Sequence, residues 1–201
     1  MSTPAPLADV PGERPVLESR VVHRGLVWDV VREAVELGPY HTVVREYVRH
    51  PGAVAVIALD EADRVLLLRQ YRHPVGAELW EPPAGLLDVP GEDPVAAARR
   101  ELAEEADLTA THWWVLTDYF TTPGGSDEAL RVYLARGLSE VPHADRHRRQ
   151  DEEADMEPVW VPLDDAVTAV LAGRVRNPST AVGVLAAAAA RARGWSDLRE
   201  A

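Results

Sequence analysis

The amino-acid sequence predicts an α/β or α+β domain in which mixed strands are sandwiched between helices. Two continuous apolar runs, residues 53–59 and 65–68, flank a polar turn and are typical of central strands covered on both faces. An amphipathic helix is predicted over residues 94–107, with Asp93 as its N-cap and Pro94 in its first turn. Further strands are predicted at residues 114–120, 129–135 and 157–161, and closing helices at residues 163–171 and 180–193.

A small antiparallel sheet is predicted to precede this domain. Three Val-rich runs alternate with charged residues, as half-exposed strands do; they cover residues 17–22, 27–35 and 42–48. The first 14 residues are Pro-rich and polar, which is typical of a disordered arm. The predicted organisation is therefore an arm (1–14), an N-terminal sheet (15–50) and a main domain (51–195).

Composition excludes several classes of function. The sequence contains no Cys and no Lys, so thiol nucleophiles, zinc ribbons, Schiff bases and a P-loop lysine are excluded. The formal net charge of −12 argues against a nucleic-acid partner, which requires a basic face. No apolar run approaches the roughly 18 residues of a membrane span, so no membrane partner is expected. The N-terminus lacks the pattern of a secretory signal, and we expect cytoplasmic residence.

Three carboxylates are predicted to share one side of the 94–107 helix. Glu101, Glu104 and Glu105 stand at positions i, i+3 and i+4, which lie close together on a helix. By spacing alone, a solvated acidic face partly neutralised by Arg99 and Arg100 is the more common outcome. The functional alternative is a site for Mg²⁺ or Mn²⁺, since these cations prefer carboxylate and carbonyl oxygens.

The surrounding residues favour the metal alternative, because they resemble the signature of the Nudix hydrolase family, G-x5-E-x7-R-E-U-x-E-E-x-G-U with U aliphatic. Here Gly85 and Glu92 are followed, after seven residues, by RELAEEADL at residues 100–108. The first spacer has six residues instead of five, and Asp107 replaces the final glycine. An insertion in a loop costs little, and Asp tolerates a left-handed conformation better than most residues.

The Nudix resemblance implies an α/β/α sandwich with a mixed central sheet, and a divalent cation between the helix and the phosphates of a substrate. The implied direct ligands are Glu101, Glu105 and the Ala84 carbonyl. Glu104 would bind directly or through water. Arg100 would serve catalysis by holding the glutamates in place, and Glu92 would close the geometry between loop and helix.

Outside the signature, the chain is similar to the ADP-ribose pyrophosphatase branch of this family. Pro123 lies 15 residues beyond Leu108, where this branch carries a proline, although a plain turn would explain it too. The predicted N-terminal sheet matches one that the branch exchanges between two subunits, which implies a homodimer.

The same resemblance implies a set of substrate-binding residues: Arg45, Arg72, Glu81, Glu128 and Trp28. Arginine suits phosphate oxygens by its fork geometry, and Glu128 matches an acidic residue that reaches the terminal ribose. Glu81 matches an acidic residue near the metals. Trp28 could stack on adenine, but a packed core tryptophan is the more common outcome for such a residue.

The charged loop over residues 139–155 resembles the lid that supplies the catalytic base in this branch. Alignment favours Glu152 as the base, with Glu153 as the near alternative. The implied reaction is Mg²⁺-dependent hydrolysis of ADP-ribose to AMP and ribose 5-phosphate. Two alternatives stay open: another nucleoside diphosphate sugar such as GDP-mannose as the substrate, and a ligand-sensing Nudix domain that binds without cleaving.

Overall fold

The computed structural model describes residues 7–148 and 156–201. These residues form two compact units, one of residues up to His50 with Gly124–Asp127, the other of Pro51–Pro123 with Glu128–Ala201. The elements in chain order are β1 (Val16–Arg24), β2 (Asp29–Gly38), β3 (His41–Arg49), β4 (Ala53–Ala58), β5 (Arg64–Arg72), β6 (Ala77–Glu81), β7 (Ala84–Leu86), α1 (Pro94–Ala106), β8 (Leu108–Phe120), β9 (Ala129–Glu140), β10 (Val159–Pro162), α2 (Leu163–Leu171), α3 (Pro178–Ala192) and β11 (Arg199–Glu200).

The first unit is the small antiparallel sheet that the sequence predicts, with strand order β1-β2-β3. Strands β1 and β3 extend one or two residues beyond the predicted bounds at each end, whereas β2 begins two residues later and ends three residues later than predicted. Tyr40 makes the turn into β3 with a φ of 62°. A segment distant in sequence also joins this unit, because the Val48 N–H donates to the Gly125 carbonyl at 2.9 Å.

The second unit contains a mixed five-stranded sheet with the order β11-β8-β9-β4-β7. Strand β4 runs parallel to β9, and the other neighbours pair antiparallel. A separate antiparallel sheet has the order β10-β5-β6. The mixed sheet confirms the predicted fold class.

Strand β4 is buried at every position and divides the interior into two hydrophobic cores. Ala55 and Ile57 face a core closed by α2 and α3. Val54 and Val56 face the opposite core, which α1 closes. Helices therefore cover both faces of the sheet, which is the α/β/α sandwich that the resemblance implied.

Three strands were not predicted from the sequence: β6, β7 and β11. The strands predicted at residues 114–120 and 129–135 are longer than expected, since β8 begins at Leu108 and β9 continues to Glu140. The predicted loop over residues 139–155 therefore begins inside a strand, and its residues 149–155 lie outside the described part of the chain. In the described ranges no helix is both long enough and apolar enough to span a membrane.

Candidate functional site

Helix α1 has well-defined ends that fix the orientation of its carboxylates. The Asp93 side chain accepts a hydrogen bond from the Val95 N–H, as an N-cap does. At the other end Asp107 adopts a left-handed conformation with a φ of 54°, and its N–H returns to the carbonyls of Ala103 and Leu102. Asp107 thus fills the C-cap position where the family signature has glycine, and the helix ends as the signature requires.

Arg100 forms hydrogen bonds with three carboxylates, those of Glu92, Glu101 and Glu104. Its guanidinium donates to Glu92 at 3.1 and 3.2 Å, to Glu101 at 2.6 Å and to Glu104 at 3.3 Å. Hydrogen bonding to Glu92, together with the charge of Glu101, raises the pKa of Arg100 above its ordinary value. These contacts are the geometry that a positioning role for Arg100 requires, because one fixed cation orients three carboxylates.

Glu105 points away from Arg100 and toward strand β7. It is only 8% exposed, and its Oε2 accepts a hydrogen bond from the Ala84 N–H at 2.9 Å. Ala84 is held in turn by pairing with Ala55 of β4. The buried carboxylate therefore bonds to the N–H of the residue whose carbonyl is a predicted cation ligand.

Gly85 gives Glu101 the room to approach the same strand. A Cβ on Gly85 would lie 2.7 Å from Cγ of Glu101 and closer still to its carboxylate. No side chain larger than hydrogen fits there unless Glu101 moves. Gly85 is therefore required by the close approach of a carboxylate, and its φ lies outside the left-handed region that favours glycine.

The donors at this position fit a hard divalent cation. The Glu105 carboxylate bonds to the Ala84 N–H and the Glu101 carboxylate lies against Gly85, and Mg²⁺ and Mn²⁺ prefer such oxygens. Within residues 7–148 and 156–201, no three or more His, Asp or Glu side chains are grouped so that they could already hold a metal ion. Glu101 and Glu104 instead contact the Arg100 guanidinium.

Two further predicted residues, Arg72 and Glu81, contact each other. Glu81 is 4% exposed, and Arg72 donates to it through Nε at 3.0 Å and through Nη2 at 2.6 Å. Arg72 and Glu81 lie on neighbouring strands of the β5–β6 hairpin but are offset along it, since Arg72 pairs with Ala77 and Glu81 pairs with Leu68, so the contact is made by the side chains. A buried carboxylate needs such a partner, because an unpaired buried charge is strongly destabilising.

Glu128 immediately precedes β9 and contacts the loop that carries Pro123. Its Oε2 accepts a hydrogen bond from Thr121 Oγ1 at 2.5 Å, and its carbonyl accepts one from the Thr121 N–H at 3.2 Å. Nearby, burial raises the pKa of Tyr119, whose hydroxyl bonds to Ser179 at 3.1 Å.

Arg45 and Trp28 belong to the first unit, where Arg45 Nη1 bonds to the Val44 carbonyl at 3.0 Å. The interpretation of Trp28 as a core residue is wrong, because Trp28 is 48% exposed, with its ring 5.9 Å from that of His50. Whether a tryptophan at this position is buried or exposed depends on tertiary contacts that the sequence pattern does not specify. Glu152 and Glu153 lie outside the described residues.

One buried residue near the site was not singled out from the sequence. Thr180, in the first turn of α3, is fully buried, and its hydroxyl donates to the Trp80 carbonyl at 2.6 Å. The Asn177-Pro178 start signal predicts a helix here but not this contact, since the two residues are 100 positions apart.

Comparison with known proteins gives a family. The NUDIX domain model matches residues 49–180. An ADP-ribose pyrophosphatase of Mycobacterium tuberculosis is 46% identical over 85% of this chain and 81% of its own length. An ADP-ribose pyrophosphatase of Bacillus subtilis is 36% identical over 86% of this chain and 91% of its own length. A crystal structure of an ADP compounds hydrolase shares the fold, with a TM-score of 0.68 over 93% of this chain and 99% of that one, at 21% identity. With its carboxylate helix and its domain match, the chain belongs to the Nudix family.

Proposed function

We propose that the protein hydrolyses the pyrophosphate bond of ADP-ribose to AMP and ribose 5-phosphate, with Mg²⁺ as its cofactor. The observation that carries the proposal is the approach of Glu101 and Glu105 to the Ala84–Gly85 backbone. The choice of substrate is supported by relatives at 46% and 36% identity that are both named ADP-ribose pyrophosphatase.

The proposed cation ligands are Glu101, Glu105 and the Ala84 carbonyl, with Glu104 bound directly or through water. A divalent cation held there, Mg²⁺ or Mn²⁺, would supply positive charge against the phosphate oxygens. Arg100 would keep Glu101 and Glu104 oriented, as its contacts at 2.6 and 3.3 Å support. Positioning and electrostatics are the main contributions to phosphoryl transfer, so these roles suffice without a covalent intermediate.

The proposed substrate-binding residues are those that the family resemblance implies. Arg45 would contact phosphate and Trp28 adenine, while Glu128 would accept hydrogen bonds from the terminal ribose. Arg72 would also line the substrate. It has five N–H donors, of which Nε and Nη2 bond to Glu81, so Glu81 would orient Arg72 as well as lie near the cation.

The proposed general base is Glu152, which would take a proton from the attacking water. Glu152→Gln is expected to lower kcat about 10²- to 10⁴-fold, the usual contribution of a positioned base. Glu153→Gln is the matched control, because it makes the same change one position further along the chain. A near-normal rate for Glu152→Gln beside an inactive Glu153→Gln would move the base to Glu153.

We also propose that the protein is a cytoplasmic homodimer. Several large apolar side chains of the N-terminal sheet are exposed, among them Val16, Leu17 and Val44, which supports a second copy packing there. Light scattering coupled to size exclusion would contradict the dimer if it gave a mass of 22.0 kDa, that of one chain.

A substrate panel tests the proposed activity. With Mg²⁺ present, ADP-ribose is expected to have the highest kcat/KM among nucleoside diphosphate sugars, with AMP and ribose 5-phosphate as the separated products. Chelation of the metal is expected to abolish turnover. Faster turnover of GDP-mannose would overturn the choice of substrate, and tight binding of ADP-ribose with no turnover would indicate a sensing domain.

A further inference from the structure

The segment from Trp80 to Ala84 carries the chain from one sheet of the second unit to the other. Trp80 and Glu81 end β6 in the three-stranded sheet, and Ala84 begins β7 in the five-stranded sheet. Between them lie Pro82 and Pro83, both buried. Prolines have no N–H to donate, so this crossing must be held through its carbonyls and its neighbouring residues.

Four different elements hold this short segment. The contacts are Trp80 carbonyl to Thr180 of α3 at 2.6 Å, Glu81 carboxylate to Arg72 of β5 at 2.6 Å, Pro83 carbonyl to the Val56 N–H of β4 at 2.8 Å, and Ala84 N–H to Glu105 of α1 at 2.9 Å. The last contact belongs to the proposed cation site. The first three fix the backbone that leads into it.

The Thr180 contact comes from a helix outside both sheets, as the Glu105 contact does, but Thr180 is not a proposed cation ligand. Thr180 is fully buried. Its N–H donates to the Asn177 side chain at 3.0 Å, so the N-cap of α3 fixes the residue. Its hydroxyl has one proton to donate, and the Trp80 carbonyl at 2.6 Å is closer than Asn177 Oδ1 at 3.3 Å. The start of α3 is therefore bonded to the end of the edge strand β6.

We propose that Thr180 is a positioning residue for the cation site, acting through the Trp80–Ala84 segment. The inference rests on the proposed function, because it takes the Ala84 carbonyl and Glu105 as cation ligands. If the Thr180 hydroxyl is lost, the Trp80 carbonyl loses this hydrogen bond and the Trp80–Ala84 segment gains freedom. Ala84 then shifts relative to Glu105, and the two proposed ligands lose their fixed separation. Mutation of a residue that supports a metal ligand typically lowers metal affinity about 10- to 100-fold.

The test compares Thr180→Ala with Thr180→Ser, because these two variants differ only by the hydroxyl. Mn²⁺ serves as the probe, and its Kd is measured from the electron paramagnetic resonance signal of the free ion. We expect Thr180→Ala to bind Mn²⁺ about tenfold more weakly than Thr180→Ser, within the range for outer partners of metal ligands. Hydrogen exchange of the peptide over residues 77–88 is expected to be faster in Thr180→Ala. Thr180→Val, which keeps the volume of the side chain, repeats the comparison if the alanine variant does not fold.

Thr168→Val is the matched control, because Thr168 also donates its hydroxyl to a backbone carbonyl, that of Asp164 at 2.9 Å. It lies in α2 and is expected to leave both Mn²⁺ affinity and exchange over residues 77–88 unchanged.

The possible outcomes separate this inference from the proposed function. Equal Mn²⁺ affinity in Thr180→Ala and Thr180→Ser overturns the positioning role, even if exchange differs. A wild-type protein that binds no Mn²⁺ overturns the cation site itself, and the positioning role with it. Weaker binding in both Thr180→Ala and Thr168→Val would also overturn the inference, because the effect would then not be specific to the crossing.

Discussion

Replacing Glu105 by glutamine is expected to lower kcat about a hundredfold or more, because the cation would lose a charged ligand. The fold should persist. Glutamine keeps a carbonyl oxygen at the position where Glu105 Oε2 accepts the Ala84 N–H at 2.9 Å, so the bond between α1 and β7 survives. Steady-state kinetics over a range of Mg²⁺ concentrations would measure the loss, and circular dichroism would verify the fold.

Glu61→Gln is the control for the Glu105 substitution. Glu61 is exposed in the turn between β4 and β5, so the same chemical change there should leave kcat within about twofold, as surface substitutions usually do. Near-normal turnover by a folded Glu105→Gln protein would refute the assignment of Glu105 as a cation ligand.

Gly85→Ala is expected to lower kcat to a similar extent without touching a charged residue. The added methyl group would occupy the position of the Glu101 carboxylate, since it would lie 2.7 Å from Cγ of Glu101. The backbone at Gly85 is accessible to alanine, so the side chain of Glu101 must move instead. A displacement of about 1 Å at a reacting site can cost on the order of a hundredfold in rate.

The free energy of unfolding shows whether Gly85→Ala loses activity through a displaced Glu101 or through loss of the fold. Because Glu101 can rotate away, the loss of unfolding free energy for Gly85→Ala should stay within about 0.5–3 kcal/mol, the usual range for point substitutions. Gly12→Ala is the control, since nothing lies within 4 Å of a Cβ at that position. Full activity of Gly85→Ala would show that catalysis does not require the Glu101 carboxylate to lie against residue 85.

The sequence predicted the features of this fold that local chemistry determines. Helix α1 was expected over residues 94–107 and spans Pro94–Ala106, because its N-cap, its first-turn proline and its apolar stripe are all local signals. Strands β6 and β7 were not predicted. They have five and three residues, respectively, and their extended state depends on pairing with β5 and β4.

The candidate site likewise has residues that the sequence predicts and contacts that it does not. Glu101, Glu104 and Glu105 follow from helical spacing and from a signature within one segment. The pairing of Arg72 with Glu81 depends on the register of a hairpin. The bond from Thr180 to Trp80 depends on how α3 lies against an edge strand. No sequence pattern predicts either contact, because each joins its two residues through tertiary packing.

Strand β4 has a consequence for the way the second unit unfolds. Its alternate side chains serve two cores, and Ile57 and Val56 are both fully inaccessible to solvent. Removing α1 would bare one side of the strand, and removing α2 and α3 would bare the other. Because β4 contributes side chains to both cores, loss of this strand would open the two cores together. The layers are therefore thermodynamically linked through one six-residue strand, which favours all-or-none unfolding of the unit over the loss of one layer at a time.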